Sequence, residues 1–489
     1  MQTKGRVKMA GTRGRLQIII AGTVGIAFLM EQLDATIITT ATPRIAAALH
    51  TSPLYISLAI TSYLLTLVTA MPLSFWLAGR FGAARVFCAA LGLFTAASAG
   101  CGLAESLPAL LAMRMLQGLG GGLMTPVGRA ILIRAFPRSQ LVKAMTWFNI
   151  PIVIGPTLGP VLGGIITTYA SWHWIFFVNL PFGLAGIWAA RRYVPNLRQD
   201  QTARFDGSGY LLAAAALILL QAAVQVLSLN VLSLWLVAGL LAGCAIFTLA
   251  YARHARRRKH PVLDFSLLRI RGFGVGVLAG GLSRVGINGI PYLLPLLLQV
   301  GFGKSPLETG MLVAVTCLGI VLVRPAAAPL LRRFGFGRLL AGNCMLGALS
   351  ILTFAALGAQ TPDGVILLVI LGFSLMRGMQ FATLNTISYA DMPRESLSQS
   401  TSLGGIAQQL TMGLGVAVSV ALLNLFAGAG ATLTPLAFRG TFIVLAAITL
   451  LAAPGFRALR LSDGAGAIPA LPMRPIRHGS RPQPAYIAE

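Results

Sequence analysis

Long apolar runs, broken at short intervals by basic or turn-forming residues, set the pattern of this chain. Fourteen runs come close to or exceed the roughly 20 residues a helix needs to cross a bilayer. They lie at 16–41, 54–78, 84–104, 108–133, 144–168, 174–192, 208–228, 232–251, 273–300, 308–331, 337–358, 364–389, 398–426 and 438–456. Inside hydrocarbon every backbone polar group must be satisfied within its own segment, so runs of this length are helices. The pattern predicts an all-α polytopic membrane protein with fourteen transmembrane helices. The first run carries acidic residues and no small-residue cleavage site, which makes it an uncleaved span rather than a signal peptide.

Composition agrees and narrows the class. Only 10% of the 489 residues are charged and 56% are hydrophobic, against about a quarter charged in soluble domains. A net charge of +26 would by itself suggest nucleic acid. Its placement removes that reading. Numbering the loops from a cytoplasmic N-terminus puts thirty of the 38 basic residues on the cytoplasmic side. Only Arg44, Lys304 and Arg439 fall on the other side, and Arg114, Arg129, Arg284, Arg324 and Arg377 lie within spans. So strong a positive-inside bias predicts a multi-pass protein of the cell (inner) membrane with both termini cytoplasmic. The cluster Arg253–Lys259 is a topology anchor or a site for anionic lipid head groups. No histidine–cysteine cluster suggests a metal, no cysteine spacing suggests zinc or a disulfide framework, and no Walker loop suggests ATP. No nucleophile–base pair suggests an enzyme.

A repeat divides the chain. Leu77-Ala-Gly-Arg-Phe-Gly-Ala-Ala-Arg85 ends the second span, and Leu331-Arg-Arg-Phe-Gly-Phe-Gly-Arg338 ends the tenth. Two parallel six-helix halves follow, as in many secondary transporters, with the substrate site at mid-depth between them. The expected organisation is a basic cytoplasmic tail (1–15), an N-terminal bundle (16–192), and two inserted helices with a basic loop (193–272). A C-terminal bundle (273–456) and a disordered cytoplasmic tail (457–489) complete it.

Within the fifth span, Gly155, Gly159 and Gly163 recur every four residues and so share one helix face, with Gly164 beside them. Such a face lets another backbone approach closely. Pro156 and Pro160 each remove a donor and favour a bend. The stretch is either a tight structural crossing or a moving contact between the two bundles.

Four stretches carry a family resemblance. The doubled Gly-Pro-x-x-Gly-Pro-x-x-Gly-Gly of 155–164 resembles an antiporter signature. Leu33-Asp-Ala-Thr-Ile-Ile-Thr-Thr-Ala-Thr-Pro43 is similar to a first-helix signature. Leu110-Leu-Ala-Met-Arg-Met-Leu-Gln-Gly-Leu-Gly-Gly-Gly122 is similar to a fourth-helix motif centred on an arginine, and Ser171–Gly183 to the entry of helix six. Together they resemble the fourteen-span drug:proton antiporters of the major facilitator superfamily, the EmrB/QacA-like branch. The resemblance implies the major facilitator fold, two six-helix bundles plus two inserted helices. It also implies a loop motif at Arg80, Gly82 and Arg85. The chain departs from that motif: Phe75 stands for a usual glycine, Ala84 for a usual base, and Gly79 for an aspartate that latches the halves.

The chemistry points to a few residues. Glu31 and Asp34 are the two acids well inside spans, one helical turn apart. A charge there costs several kcal/mol (about 2.5–3.5 on insertion scales), which makes each a candidate functional group. Counting at about 1.5 Å per residue from the same side, Arg114 reaches the depth of Asp34 within a turn. Burial favours a protonated carboxyl and a neighbouring arginine opposes it, so a change in pairing moves a proton. The alternative is a static ion pair pinning two helices. Gln117, Asn149, Arg284, Asn288, Tyr292, Arg377 and Asn385 are candidate lining for a polar substrate cavity, or glue between helices.

These readings, with the resemblance, predict a proton-coupled antiporter that exports small amphipathic compounds by alternating access. It would work with protons, a small-molecule substrate and the lipid bilayer, and without cofactor, metal or nucleic acid. The resemblance leaves room for a periplasmic adaptor protein. Transport of an anionic metabolite in either direction and a non-transporting sensor on the same fold are the alternatives.

Overall fold

The computed structural model describes residues 2–136, 141–196, 205–228, 234–258, 261–393, 396–428, 433–460 and 463–464. Among them every regular element is helical. We number the helices α1 Gln2–Ala48, α2 Pro53–Phe81, α3 Ala83–Gly102, α4 Leu107–Ala135 and α5 Leu141–Tyr169. Then come α6 Trp174–Tyr193, α7 Gly207–Ser228, α8 Leu234–Arg256 and α9 Arg271–Gly301. The last five are α10 (Pro306–Leu322, continued by 324–334), α11 (336–355), α12 Asp363–Ala390, α13 Leu397–Ala427 and α14 Pro435–Phe456. Eleven of the described helical segments are long and apolar enough to span a membrane outright. Helix α4 carries three arginines and α10 is broken at its middle.

Local chemistry places the ends. Ser52, Ser106, Ser305 and Thr434 each cap a following helix through a side-chain oxygen, and a proline enters each first turn. Ser305 and Glu308 complete a capping box. Helix α9 is interrupted after Asn288 and closes with a wide turn, Phe302 N to Leu297 O at 2.9 Å. Pro291 and Pro295 supply no amide there, so the regular ladder cannot run through.

The repeat is legible in the backbone as a constant offset of 253 residues. Helix ends Ala48 and Gly301, left-handed His50 (φ 49°) and Gly303 (φ 70°), and caps Ser52 and Ser305 all correspond. So do the hinges Gly82 (φ 94°) and Gly335 (φ 71°) inside the two Arg-Phe-Gly motifs. A residue with a Cβ is strained at such angles, which explains glycine at both hinges.

Helices α1–α6 pack chiefly on one another, as do α9–α14. The halves meet along α5–α10 and α2–α13, and more lightly where α1 reaches the ends of α9 and α10. Helix α7 lies against α2 and α13, whereas α8 leans on α7 with 6% of its apolar window buried. That leaves α8 facing lipid. A half-buried Asp206–His254 pair, 2.7 Å apart, ties α7 to α8.

Helix α1 begins at Gln2, so the basic N-terminal segment continues the first span as helix. One expectation is corrected. The segment after 456 starts ordered: Gly464 N donates to Asp391 Oδ2 at 2.8 Å, and Arg271 approaches Asp463 at 3.8 Å. These contacts fix the chain beneath α9 and α12; residues 465–489 lie outside the described ones.

Candidate functional site

Helix α4 builds the centre of the N-terminal half. Ser106 fixes its start by accepting the Ala109 amide. Its glycines then let two neighbours close in. A Cβ on Gly120 would meet Ala90 O of α3 at 2.9 Å, and one on Gly118 would collide with Tyr63 O of α2. With these helices so near, Arg114 is wholly buried two turns into α4.

Arg114 Nη1 donates to Asp34 Oδ2 of α1 at 2.5 Å and to Gln117 Oε1 at 2.7 Å, and Nε donates to Ala59 O at 3.1 Å. The guanidinium carbon lies 4.3 Å from the centre of the Tyr63 ring, a cation–π contact. Asp34 Oδ1 takes two further bonds, from Gln117 Nε2 at 2.8 Å and Asn179 Nδ2 of α6 at 3.0 Å. Ser98 of α3 accepts from Asn179 at 3.0 Å and donates to Phe176 O at 2.9 Å. Asp34, Arg114, Gln117, Asn179 and Ser98 are all fully buried. Arg114 Nη2, Asn179 Oδ1 and the Tyr63 hydroxyl have no hydrogen-bond partner among the described residues.

Glu31, one turn along α1, is 6% exposed. Its carboxyl is hydrogen-bonded to Thr125 of α4 and has no cationic partner among the described residues. The two carboxyls thus share a helix and differ in company: a guanidinium and two amides for Asp34, a hydroxyl for Glu31.

The glycine stretch of α5 divides its contacts. A Cβ on Gly155 would meet Gln32 Cβ at 2.6 Å, one on Gly159 the Thr36 Cβ at 2.9 Å, and one on Gly163 the Ile37 O at 2.7 Å. This face therefore packs on α1, within the N-terminal half. Of the two readings of the motif, the tight crossing holds for this face and the contact between bundles for Pro160 and Gly164. The crossing to the other half uses the next face. There Gly164 abuts Pro306 O (2.5 Å for a Cβ), and Gly310 of α10 sits on Pro160 (3.1 Å to its carbonyl carbon). Helix α5 continues unbroken through Pro156 and Pro160.

At the loop motif, Arg80 is exposed and lies 5.6 Å above the Trp76 ring. Arg85 N donates to Asn196 Oδ1 at 3.3 Å, and a side chain at Gly82 would collide with that same Asn196. The segment after α6 thus holds this turn.

The candidate cavity residues scatter. Gln117 belongs to the Asp34 cluster rather than to a cavity wall. Tyr292 is buried, and its hydroxyl donates to Pro53 O of α2 at 3.0 Å, so it ties the halves together instead. Asn288 is half-buried against Gly415 of α13, and Asn385 is half-buried on α12. Arg377 is half-buried on α12. Arg284 is 8% exposed, and its Nε has no partner among the described residues. The side chain of Asn149 lies outside the described ones. Sequence reasoning placed no role on Thr125 or Ser98. Thr125 is eleven residues, three turns, from Arg114 and hence on its face; Asn179 stood within the quoted helix-six motif.

Comparison with known proteins agrees with this architecture. The family model described as Major Facilitator Superfamily matches residues 24–416. A Salmonella heidelberg (strain SL476) relative bearing the name "Putative multidrug resistance protein MdtD" is 35% identical over 446 residues, 90% of this chain and 94% of its own. A Cronobacter sakazakii relative of the same name is 38% identical over 403 residues, 82% and 85% of the two chains. Among solved structures, a POT family transporter in complex with 5-aminolevulinic acid superposes with a TM-score of 0.68 at 14% identity, covering 90% of this chain and 94% of that one. A D-xylose-proton symporter superposes with a TM-score of 0.67 at 15% identity, covering 91% and 99%. At such identities these two structures speak for the fold alone.

Proposed function

The chain belongs to the major facilitator superfamily, and on that footing we propose that this membrane transporter is a proton-driven exporter of small amphipathic compounds. The observation that carries the reading is the pair of buried carboxyls on α1, of which Arg114 holds only one. In this scheme Asp34 stays ionised in the Arg114 cluster, and Glu31 takes up and releases the transported proton. The spare valences on Arg114, Asn179 and Tyr63 let the cluster re-pair as the halves rock, which is how a proton site and a conformational change become coupled. The names of the relatives support a drug-like range of substrates.

The driving force suffices without any cofactor. Each proton supplies about 1.4 kcal/mol per pH unit and about 2.3 kcal/mol per 100 mV. The basic bias of the loops supports an inner-membrane protein with cytoplasmic termini, divided into halves 16–192 and 273–456 around the inserted pair. The test is substrate-induced collapse of an imposed pH gradient in proteoliposomes, screened over amphipathic cations and anions. Collapse that depends on Glu31 and Asp34 supports the proposal. Substrate movement that leaves the gradient untouched overturns proton coupling.

A further inference from the structure

Helix α8 packs chiefly on α7, and the two sides of it differ. On the side toward α7, a Cβ on Gly243 would meet Leu219 at 3.1 Å, Tyr251 is buried, and His254 bonds Asp206 at 2.7 Å. On the other side Trp235, Gly239, Ile246 and Leu249 are exposed, and a Cβ on Gly239 would meet nothing within 4 Å. Steps of three, four or seven residues keep these on one face, and the same steps lead on to Arg253 and Arg256. The lipid-facing stripe therefore ends in charge. Arg253 and Arg256 in the last turn, and Arg257 and Arg258 just past it, are exposed and enter no ion pair among the described residues. Two nearby acids are otherwise engaged: Asp206 holds His254, and Asp264 accepts the Ser266 amide at 2.9 Å.

The free carbonyls of a helix end amount to about half a negative charge, so four arginines exceed what the end of α8 itself takes up. Orientation in the membrane needs a basic excess in the loop. It does not need arginines on the lipid side of a peripheral helix. Depth places them as well. Arg253 lies eighteen residues along the helix from Trp235, about 27 Å at about 1.5 Å per residue. That is close to the hydrocarbon thickness of about 30 Å, so the guanidiniums emerge at the level of lipid phosphates. The base of α8 is also held still. The Tyr251 hydroxyl accepts the Leu263 amide at 2.6 Å and donates to the Leu263 carbonyl at 2.7 Å, and its ring meets Phe265 edge-on at 5.3 Å. We infer that this side of α8 is a site for an anionic phospholipid. Arg253, Arg256 and Arg257 hold its phosphate, and an acyl chain lies along Leu249 and Ile246 toward the notch at Gly239. A second copy of the chain suits the face poorly. Two α8 helices related by a two-fold axis along the membrane normal would set the same arginines against each other. The bound lipid would steady α8 and, through it, the seating of α7 on α2 and α13. The inference rests on the membrane-spanning architecture and not on export or proton coupling.

The test titrates the purified, delipidated full chain in detergent with phosphatidylglycerol and phosphatidylcholine of identical acyl chains, and counts bound lipid by native mass spectrometry. Wild type is expected to hold phosphatidylglycerol about tenfold more tightly than phosphatidylcholine, less so as salt rises, and to keep it against excess glycerol phosphate, which has no acyl chain. Arg253→Gln, Arg256→Gln and Arg257→Gln together should remove that preference and leave phosphatidylcholine binding unchanged. Lysine at the same three positions should keep most of it. Arg332→Gln, Arg333→Gln and Arg338→Gln, at the turn between α10 and α11, remove equal charge and should leave phosphatidylglycerol binding as in wild type. Melting temperature is the second readout. Without lipid the Arg253, Arg256 and Arg257 variant should match wild type, because these side chains are exposed, and it should lose the rise that phosphatidylglycerol gives wild type. Equal losses in the two glutamine variants would reduce the effect to overall charge and overturn the site. Displacement by glycerol phosphate would make it a site for free phosphate instead. A dimer in phosphatidylcholine that Gly239→Leu abolishes would assign the face to a second copy of the chain.

Discussion

At the scale of single residues, Asp34 and Glu31 separate by experiment because their partners differ. Asp34→Asn keeps the shape of the cluster but removes the charge that Arg114 Nη1 holds at 2.5 Å. Proton-coupled efflux should fall at least tenfold while substrate binding persists, as read by pH-gradient collapse beside equilibrium binding. Glu31→Gln should keep the Thr125 contact and flatten the pH dependence of efflux; an unaltered profile would remove Glu31 from the proton path. Arg114→Gln should hurt most, by about 3–5 kcal/mol of stability, since it leaves Asp34 buried without its cation. The Asp34–Arg114 pair was legible in the sequence because depth along a span can be counted. That Asn179 and Ser98 join this pair was not legible, since which faces of α3 and α6 turn toward α1 depends on helix rotation, which spacing alone does not give.

At the scale of elements, α5 shows what a glycine pattern conveys. The four-residue period announced a close backbone approach and could not say to which helix. The contacts assign Gly159 to α1 and Gly310 to the crossing between halves, and the two sites should respond differently. Gly159→Leu forces a branched side chain into Thr36 and should destabilise the N-terminal half by about 1–3 kcal/mol, seen as a lower melting temperature. Gly310→Leu should leave that temperature nearly unchanged and slow transport, because the α5–α10 crossing can no longer shut. Equal melting shifts for both would contradict this division. The inserted pair offers a pH test. Burial pushes the Asp206 carboxyl up, but the His254 hydrogen bond, the Gly209 amide and the His254 charge together hold it below the usual 3.8. Its contribution is therefore present above pH 3.8 and is lost as the pH falls through the lowered value. Asp206→Asn should loosen the α7–α8 contact at neutral pH and make it insensitive to acid, measurable by limited proteolysis of the loop between them.

At the scale of the whole molecule, the fourteen apolar runs and the Arg-Phe-Gly repeat foretold the architecture, because lipid admits few alternatives to helices and because the hinge glycines are visible as residues. The conformational state was hidden, since it depends on which helix ends touch. The described contacts gather at one end. Tyr292 reaches Pro53 O at 3.0 Å, Gln299 Nε2 donates to Thr40 O at 2.8 Å, and Gly310 seats on Pro160. On the proposed topology, in which the end with few basic residues is the external one, this conformation is closed outward. Two outcomes follow in a background stripped of the five native cysteines. Arg257→Cys, exposed just past α8, should resist an impermeant thiol reagent outside intact cells and react once the membrane is permeabilised. Ready labelling from outside would invert the topology. Thr40→Cys should label slowly from outside, its side chain being fully buried. Tyr292→Phe combined with Gln299→Leu removes two bonds across the closure, each about 1 kcal/mol, which shifts a two-state equilibrium about thirtyfold toward the outward-open form. Labelling of Thr40→Cys in that background should accelerate accordingly. An unchanged rate would mean that the seat of Gly310 on Pro160, rather than the two side-chain bonds, keeps the external end shut.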